Sequence, residues 1–175
     1  MSTSEPENHR PLGQGMLTIA WVIGLGILVW AFGSWEKDQL NPNKELRSTV
    51  SDRFIEVTLS ANRQHGYVFS GHINGQEVVF LLDTGATDVV VSKQLADTLD
   101  LRYGAHGFAY TANGTVDVWD TTLKSVKLGP IHLQNVNASI NPAMSGNEVL
   151  LGMTALRQLE IVQRDSQLTL RQPLQ

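Results

Sequence analysis

The sequence of 175 residues has no cysteine, which excludes a disulfide framework, a thiolate nucleophile and a cysteine-bound zinc. Histidines do not replace them, because His65, His72, His106 and His132 follow no metal-ligand spacing. No metal or cofactor is expected. Basic charge is also short. Lys and Arg number 13 against 17 Asp and Glu, a net charge of −4, so the electrostatic footprint of a nucleic-acid binder is missing. Aromatic residues make up 7%, and three of the four tryptophans (Trp21, Trp30 and Trp35) lie near the N-terminus. There is no long repeat and no low-complexity tract. Ser70-Gly71 lacks the flanking glycines of a nucleophile elbow. Gly24-Leu25-Gly26 sits inside an apolar run rather than after a strand, so it is no dinucleotide loop.

Charge is absent altogether from Pro11 to Trp35, and Met16 to Trp35 is nearly all apolar. A helix of that length spans about 30 Å, the thickness of a bilayer's hydrocarbon core. Trp35, followed by Glu36-Lys37-Asp38, suits a membrane interface. A cleaved signal peptide would use Ala31-Phe32-Gly33 as an imperfect small-x-small site, but the run is long and its leading segment carries only Arg10. An uncleaved anchor over 16–35 is therefore expected, after a tail over 1–15 and before a linker over 36–53. Ala20 and Gly24 form a small-xxx-small pair. Lys37, Lys44 and Arg47 on the far flank, read strictly, would hold the C-terminal part on the cytoplasmic side.

The folded domain is expected over 54–175. Phe54–Leu59 has strand composition, Tyr67–Ile73 is a second strand, and Asn74-Gly75 is a strong hairpin signal. Gln76–Leu82 returns as the partner strand. After it come a short strand to Val91, a Ser92-capped helix over Lys93–Leu99, and a hairpin of Phe108–Thr111 with Thr115–Trp119. Strands are expected at Thr121–Leu128, Ile131–Leu133 and Val136–Ile140, with a break at Gly129-Pro130. Val149-Leu150-Leu151-Gly152 precedes a short helix capped by Thr154, and two short strands fill Glu160–Leu170. Many short strands with brief helices predict an all-β, closed-barrel domain.

One stretch carries chemistry. Val79-Phe80-Leu81-Leu82 reads as a strand buried on both faces, and it runs straight into Asp83-Thr84-Gly85-Ala86-Thr87. A carboxylate at the end of such a strand is costly unless it is hydrogen-bonded, paired or used. By itself the triplet also fits a tight turn in which Asp83 caps the backbone and Gly85 takes a positive φ. Asp117 and Asp120 fit a solvated strand face better than a second catalytic acid. Asn113-Gly114-Thr115 and Asn137-Ala138-Ser139 spell glycosylation sequons, a common match.

Several features recur in one order: the hairpin around Asn74-Gly75, Leu81-Leu82-Asp83-Thr84-Gly85, the hairpin tipped by Thr111-Ala112-Asn113-Gly114, and Leu150-Leu151-Gly152 before a helix. Together they resemble the retropepsin-like aspartic proteases across roughly Phe54 to Leu170, and with the N-terminal anchor the bacterial membrane-anchored branch of that clan. The resemblance implies an endopeptidase acting on polypeptides, with Asp83 as acid and base. Thr84 and Gly85 would support the site, Thr111, Ala112, Asn113 and Gly114 would form a flap over substrate, and Leu150, Leu151 and Gly152 would pack beside the active-site loop. Two carboxyl groups about 3 Å apart cannot both ionise, so a dyad shares one proton. The chain holds a single Asp-Thr-Gly and is too short for two lobes, so the second Asp83 would come from another copy across a two-fold axis. The resemblance also implies a bacterial inner-membrane protein with its domain in the periplasm. Met153-Thr154 stands where many viral members carry Arg-Asn, and Ala86-Thr87 is uncharged where they often place an acid. An inactive module of the same fold, binding or scaffolding at the membrane, is the alternative.

Overall fold

The computed structural model describes residues 10–111 and 114–174 and divides into two compact units, Met1–Gln39 and Leu40–Gln175. The long helix α1, Arg10–Leu40, lies in the first unit except for its last residue. Its stretch Gly15–Gly33 is long and apolar enough to cross a membrane, by length and composition. Trp21, Ile23, Leu25, Leu28 and Trp30 are all exposed, so no protein core explains the apolar run. The helix continues past Trp35 through Glu36-Lys37-Asp38, a segment expected to be linker.

The second unit is mostly β. Its first strands are β1 (Arg47–Val50), β2 (Phe54–Ser60), β3 (Val68–Ile73), β4 (Gln76–Leu82) and β5 (Val89–Ser92). Helix α2 (Lys93–Thr98) follows, then β6 (His106–Thr111), β7 (Gly114–Leu128), β8 (Ile131–Asn141) and β9 (Glu148–Leu151). Helix α3 (Met153–Leu156), β10 (Glu160–Arg164) and β11 (Gln167–Pro173) complete it. Two sheets result, one ordered β1-β2-β11-β10 and one ordered β3-β4-β9-β5-β8-β7-β6. A second pairing, His72↔Lys127 and Ile73↔Val126, joins β3 back to β7, so six strands of the larger sheet form a hydrogen-bonded ring. Gly71 makes that closure possible: a Cβ there would lie 2.6 Å from the Lys127 carbonyl oxygen. Inside sit Phe69 and Phe80, both fully buried, their rings 5.5 Å apart, with Leu123, Leu133, Ile140 and Leu151 around them.

Local signals explain much of this. Asn74 and Gly75 both take positive φ, at 51° and 87°, as a two-residue hairpin turn that follows the strand twist requires. The Ser92 hydroxyl accepts from Leu95 N at 3.2 Å and caps α2 as expected. Other expectations change. The strands expected at 115–119 and 121–128 are one continuous β7, and those at 131–133 and 136–140 are one β8 paired along it. Thr154 does not cap α3; Gly152 occupies the cap position and makes no side-chain bond.

The presumed tether is also partly built into the fold. β1 pairs with β2 from Arg47↔Thr58 to Val50↔Ile55, and Asn41 and Asn43 are buried. The Asn43 side chain donates to Ser60 O (2.9 Å) and Val68 O (2.8 Å) and accepts from Ser60 N (2.7 Å), while the Asn43 backbone carbonyl accepts from Ser70 N. It clips β2 to β3. Removing it leaves buried backbone groups unpaired, each costing about 1–3 kcal/mol. Asn43→Ala is therefore expected to lower the melting temperature of the full chain by about 5–10 °C. A thermal melt within about 2 °C of wild type would exclude the clip.

Candidate active site

Asp83 is the first residue after β4, and two neighbours fix its position. β4 pairs in parallel with β9, Leu81 opposite Leu150 and Leu82 opposite Leu151, and the Asp83 amide donates to Leu151 O at 3.2 Å. On its other side β9 meets β5 through Val90↔Leu150. The chain from Asp83 to Asp88 therefore leaves one neighbour of β9 and enters the other, passing over the end of β9 at Gly152.

Backbone bonds weld that crossing. Met153 N donates to Ala86 O (2.9 Å), Thr154 N to Thr87 O (3.0 Å), and Ala86 N to Asp83 O (3.3 Å). The Thr154 hydroxyl donates to Asn137 O at 2.8 Å and accepts from Val89 N at 3.1 Å, pinning α3 to β5 and β8. Gly152 lies beneath: a Cβ there would stand 2.0 Å from Asp88 O and 2.7 Å from Ala86 O. Leu150, Leu151 and Gly152 thus lie against the Asp83 loop.

Asp83 is part-buried as a residue, and its Oδ1 accepts from Gly85 N at 2.9 Å at the exposed end of the strand. The tight turn is present, with Ala86 N donating to Asp83 O and Gly85 N to the Asp83 carboxylate, but Gly85 is not among the residues at positive φ. The glycine instead keeps its own amide close to the carboxylate, since a Cβ would sit 3.2 Å from Asp83 Oδ1. Thr84, Gly85 and Thr87 are exposed. The loop thus presents a hydroxyl and bare backbone outward beside the acid.

The hairpin of β6 and β7 forms one edge of this sheet. Ala112 and Asn113 lie outside the described residues; Thr111 and Gly114 flank them and are paired, with the Thr111 hydroxyl donating to Gly114 O at 2.8 Å. His106, Phe108 and Tyr110 share one face by alternation, and Tyr110 is 90% exposed. At its root His106 Nε2 lies 2.9 Å from Asp117 Oδ1, and the rings of His106 and Tyr103 meet Trp119 edge-on. Tyr103 donates to Asp97 Oδ1 at 2.6 Å, and that bond pushes its hydroxyl up to about 12.

Sequence reasoning missed a second acidic feature. Asp88 and Asp120 line one cavity, and Asp88 is held above the usual carboxylate range, first by burial and then by repulsion from Asp120, with Arg157 opposing. Nothing local relates two acids 32 positions apart, so no motif could have found them. Among the described residues, no three His, Cys, Asp or Glu gather to hold a metal.

Comparison with known proteins agrees with this geometry. The family described as "gag-polyprotein putative aspartyl protease" matches residues 69–158, which run from β3 to α3 and contain the Asp83 loop and Gly152. The chain belongs to that family and is a retropepsin-like aspartic protease by descent and fold. An "Uncharacterized protein in cobV 5'region" of Sinorhizobium sp is 28% identical over 177 residues, 93% of this chain and 76% of the relative. The crystal structure of a retropepsin-like aspartic protease from Rickettsia conorii superposes with a TM-score of 0.55 at 21% identity, covering 74% of this chain and 96% of that one. EIAV protease complexed with the inhibitor HBY-793 covers 51% of this chain and 84% of its own at 20% identity, with a TM-score of 0.43.

Proposed function

We propose that the chain is an aspartic endopeptidase, active as a homodimer and anchored in a membrane by Gly15–Gly33. The observation that carries this reading is a single Asp83, part-buried at the rim of the sheet, on a loop over-determined from below by β9 and Gly152. Among the described residues the carboxylate has one hydrogen bond, from Gly85 N to Oδ1, which leaves its second oxygen available for proton transfer on a backbone held from beneath.

In this mechanism Asp83 of each subunit meets across a two-fold axis. One is ionised and one protonated, because two carboxylates that close cannot both carry charge. A water held between them loses a proton to the ionised carboxylate as its oxygen bonds to the scissile carbonyl carbon. The other carboxyl donates its proton to the carbonyl oxygen. Collapse of the tetrahedral gem-diol breaks the C–N bond, a proton passes to the leaving nitrogen, and the products are a carboxyl group and an amine. Thr84 braces the two loops across the axis, and the β6–β7 hairpin closes over an extended polypeptide and excludes water. The domain works in the periplasm of a bacterial inner membrane; a reporter fused after Gln175 and active only in the cytoplasm would reverse that orientation.

The dyad has a measurable consequence. When the full chain in detergent is diluted below its dimer dissociation constant, cleavage of a peptide mixture per chain is expected to fall in proportion to concentration. Constant activity per chain in a sample shown to be monomeric would overturn the dimer. Absence of any cleavage by wild type from acidic to neutral pH, at high protein concentration, would overturn the enzyme.

A further inference from the structure

A homodimer needs a surface on which two copies meet, and the smaller sheet offers a specific one. The last strand of the chain, β11, lies inside that sheet, which ends at β10 on one side and β1 on the other. Ala61 N donates to Ser166 O and Leu174 N to Arg53 O, so the even-numbered residues of β11 spend their main-chain groups on the β2 side and the odd-numbered ones on β10. In the register Glu160↔Arg171, Val162↔Thr169 and Arg164↔Gln167, those bonds engage residues 160, 162 and 164. Ile161 and Gln163 therefore turn their N–H and C=O groups away from the sheet, and both residues are exposed. No proline, lysine or bulge guards this edge, although exposed edges normally carry such a device. Its only charges, Glu160 and Arg164, have opposite signs and stand equally far from Val162.

Laid antiparallel against a second copy about Val162, the strand is its own complement. Ile161 of each copy exchanges both main-chain bonds with Gln163 of the other. Glu160 then stands opposite Arg164 at pairs without ladder bonds, where side chains come closest. Moving the axis to Ile161 or Gln163 keeps the outward groups paired but parts the charges. Both charges are open to a partner. Arg171 Nε bonds Glu56 at 2.6 Å and its Nη1 reaches Glu160 only at 3.8 Å, and among the described residues Arg164 forms no ion pair. The β1 edge, Arg47-Ser48-Thr49-Val50, holds one charge and has no such symmetry. β10 also follows α3, whose Met153 and Thr154 amides hold the Asp83 loop. Resting on the homodimer reading, we propose that two copies join through their β10 edges into one continuous sheet, Glu160 of each paired with Arg164 of the other.

Two measurements on the full chain in detergent test this. The chain has no cysteine, so Val162→Cys introduces a single thiol, at a position where the two Cα atoms would stand about 4.5 Å apart, within disulfide range. On oxidation it is expected to cross-link about tenfold faster than Gln163→Cys or Thr49→Cys, whose thiols are not opposed. Once cross-linked, its peptidase activity per chain should no longer fall on dilution. Faster cross-linking through Thr49→Cys assigns the interface to β1 and overturns the proposal. A cross-linked dimer that is inactive, while the reduced protein cleaves, overturns it as the catalytic dimer. In the second measurement, Glu160→Lys and Arg164→Glu each set like charges together and are expected to weaken self-association about tenfold by sedimentation. An equal mixture of the two should restore association, because each then meets the opposite charge, and that rescue also shows that both variants fold. No weakening in either variant, or no rescue in the mixture, overturns the charge pairing and with it the register. Val162→Cys cross-linking and charge rescue without any cleavage by wild type keep the β10 interface and remove the peptidase.

Discussion

Asparagine in place of Asp83 is expected to lower kcat/KM for peptide cleavage by about 10³- to 10⁴-fold or more while leaving the melting temperature within about 2 °C of wild type. The two halves of that result come from different parts of the structure. Among the described residues the carboxylate takes part in one hydrogen bond, accepted from Gly85 N through Oδ1, and an asparagine Oδ1 accepts the same bond. The backbone of the loop is held by Leu151 O, Ala86 and Thr87, none of which contacts the side chain. An amide, however, cannot take a proton from water at any working pH or deliver one to a carbonyl oxygen. In a homodimer the substitution removes both members of the dyad at once. Wild-type chains mixed with an excess of the variant should lose activity as mixed dimers form, so inhibition by an otherwise folded variant reports the dimer. Residual cleavage within tenfold of wild type in purified Asp83→Asn protein would remove Asp83 from the chemistry.

The sequence made the site legible because its signals are local. Leu81-Leu82 before Asp83 and Leu150-Leu151 before Gly152 look alike because they are adjacent parallel strands of one sheet, although only Leu151 of the four is fully buried and the expected burial of 79–82 on both faces holds for Phe80 alone. Asn74-Gly75 and Ser92 act through their own φ and their own hydroxyl, so their effects fall within three residues. The features that escaped depend on distance. Asn41-Pro42-Asn43 has the composition of a linker, yet the Asn43 amide bonds Ser60 and Val68 and the Asn41 amide donates to the Ser70 hydroxyl. Thr154 stood where a helix cap belongs, yet its hydroxyl serves Val89 and Asn137. Asp120 stands between the strands expected at Thr115–Trp119 and Thr121–Leu128, but it pairs with Ser139 of β8, and β7 runs straight through. Asp88 and Asp120 meet only because β5 and β7 both flank β8.

The other large effect is expected at Gly152, where alanine should cost more than about 3 kcal/mol, lowering the melting temperature by roughly 10 °C. Its backbone angles, φ −91° and ψ −171°, are open to any residue, so conformational strain predicts no loss at all. Space predicts a severe one. The added methyl would stand 2.0 Å from Asp88 O, 2.7 Å from Ala86 O and 2.7 Å from Asp88 C, against an ordinary contact of about 3.5 Å. All three atoms are backbone, so no rotamer change relieves the clash. Relief requires the Asp83–Asp88 loop to lift by more than an ångström. That movement lengthens the bonds from Met153 N to Ala86 O and from Thr154 N to Thr87 O, which hold the loop. A displacement of about 1 Å can cost roughly a hundredfold in rate, so whatever folds is expected to cleave poorly although Asp83 is intact. Gly75→Ala is the matched control. It sits at φ 87° in open space, so it pays conformational strain without a clash, about 1 kcal/mol, and leaves the loop in place. If Gly152→Ala melts within about 2 °C of wild type, β9 does not support the loop as described. If it melts low but cleaves at the wild-type rate, the position of Asp83 is set by something other than the contact beneath it.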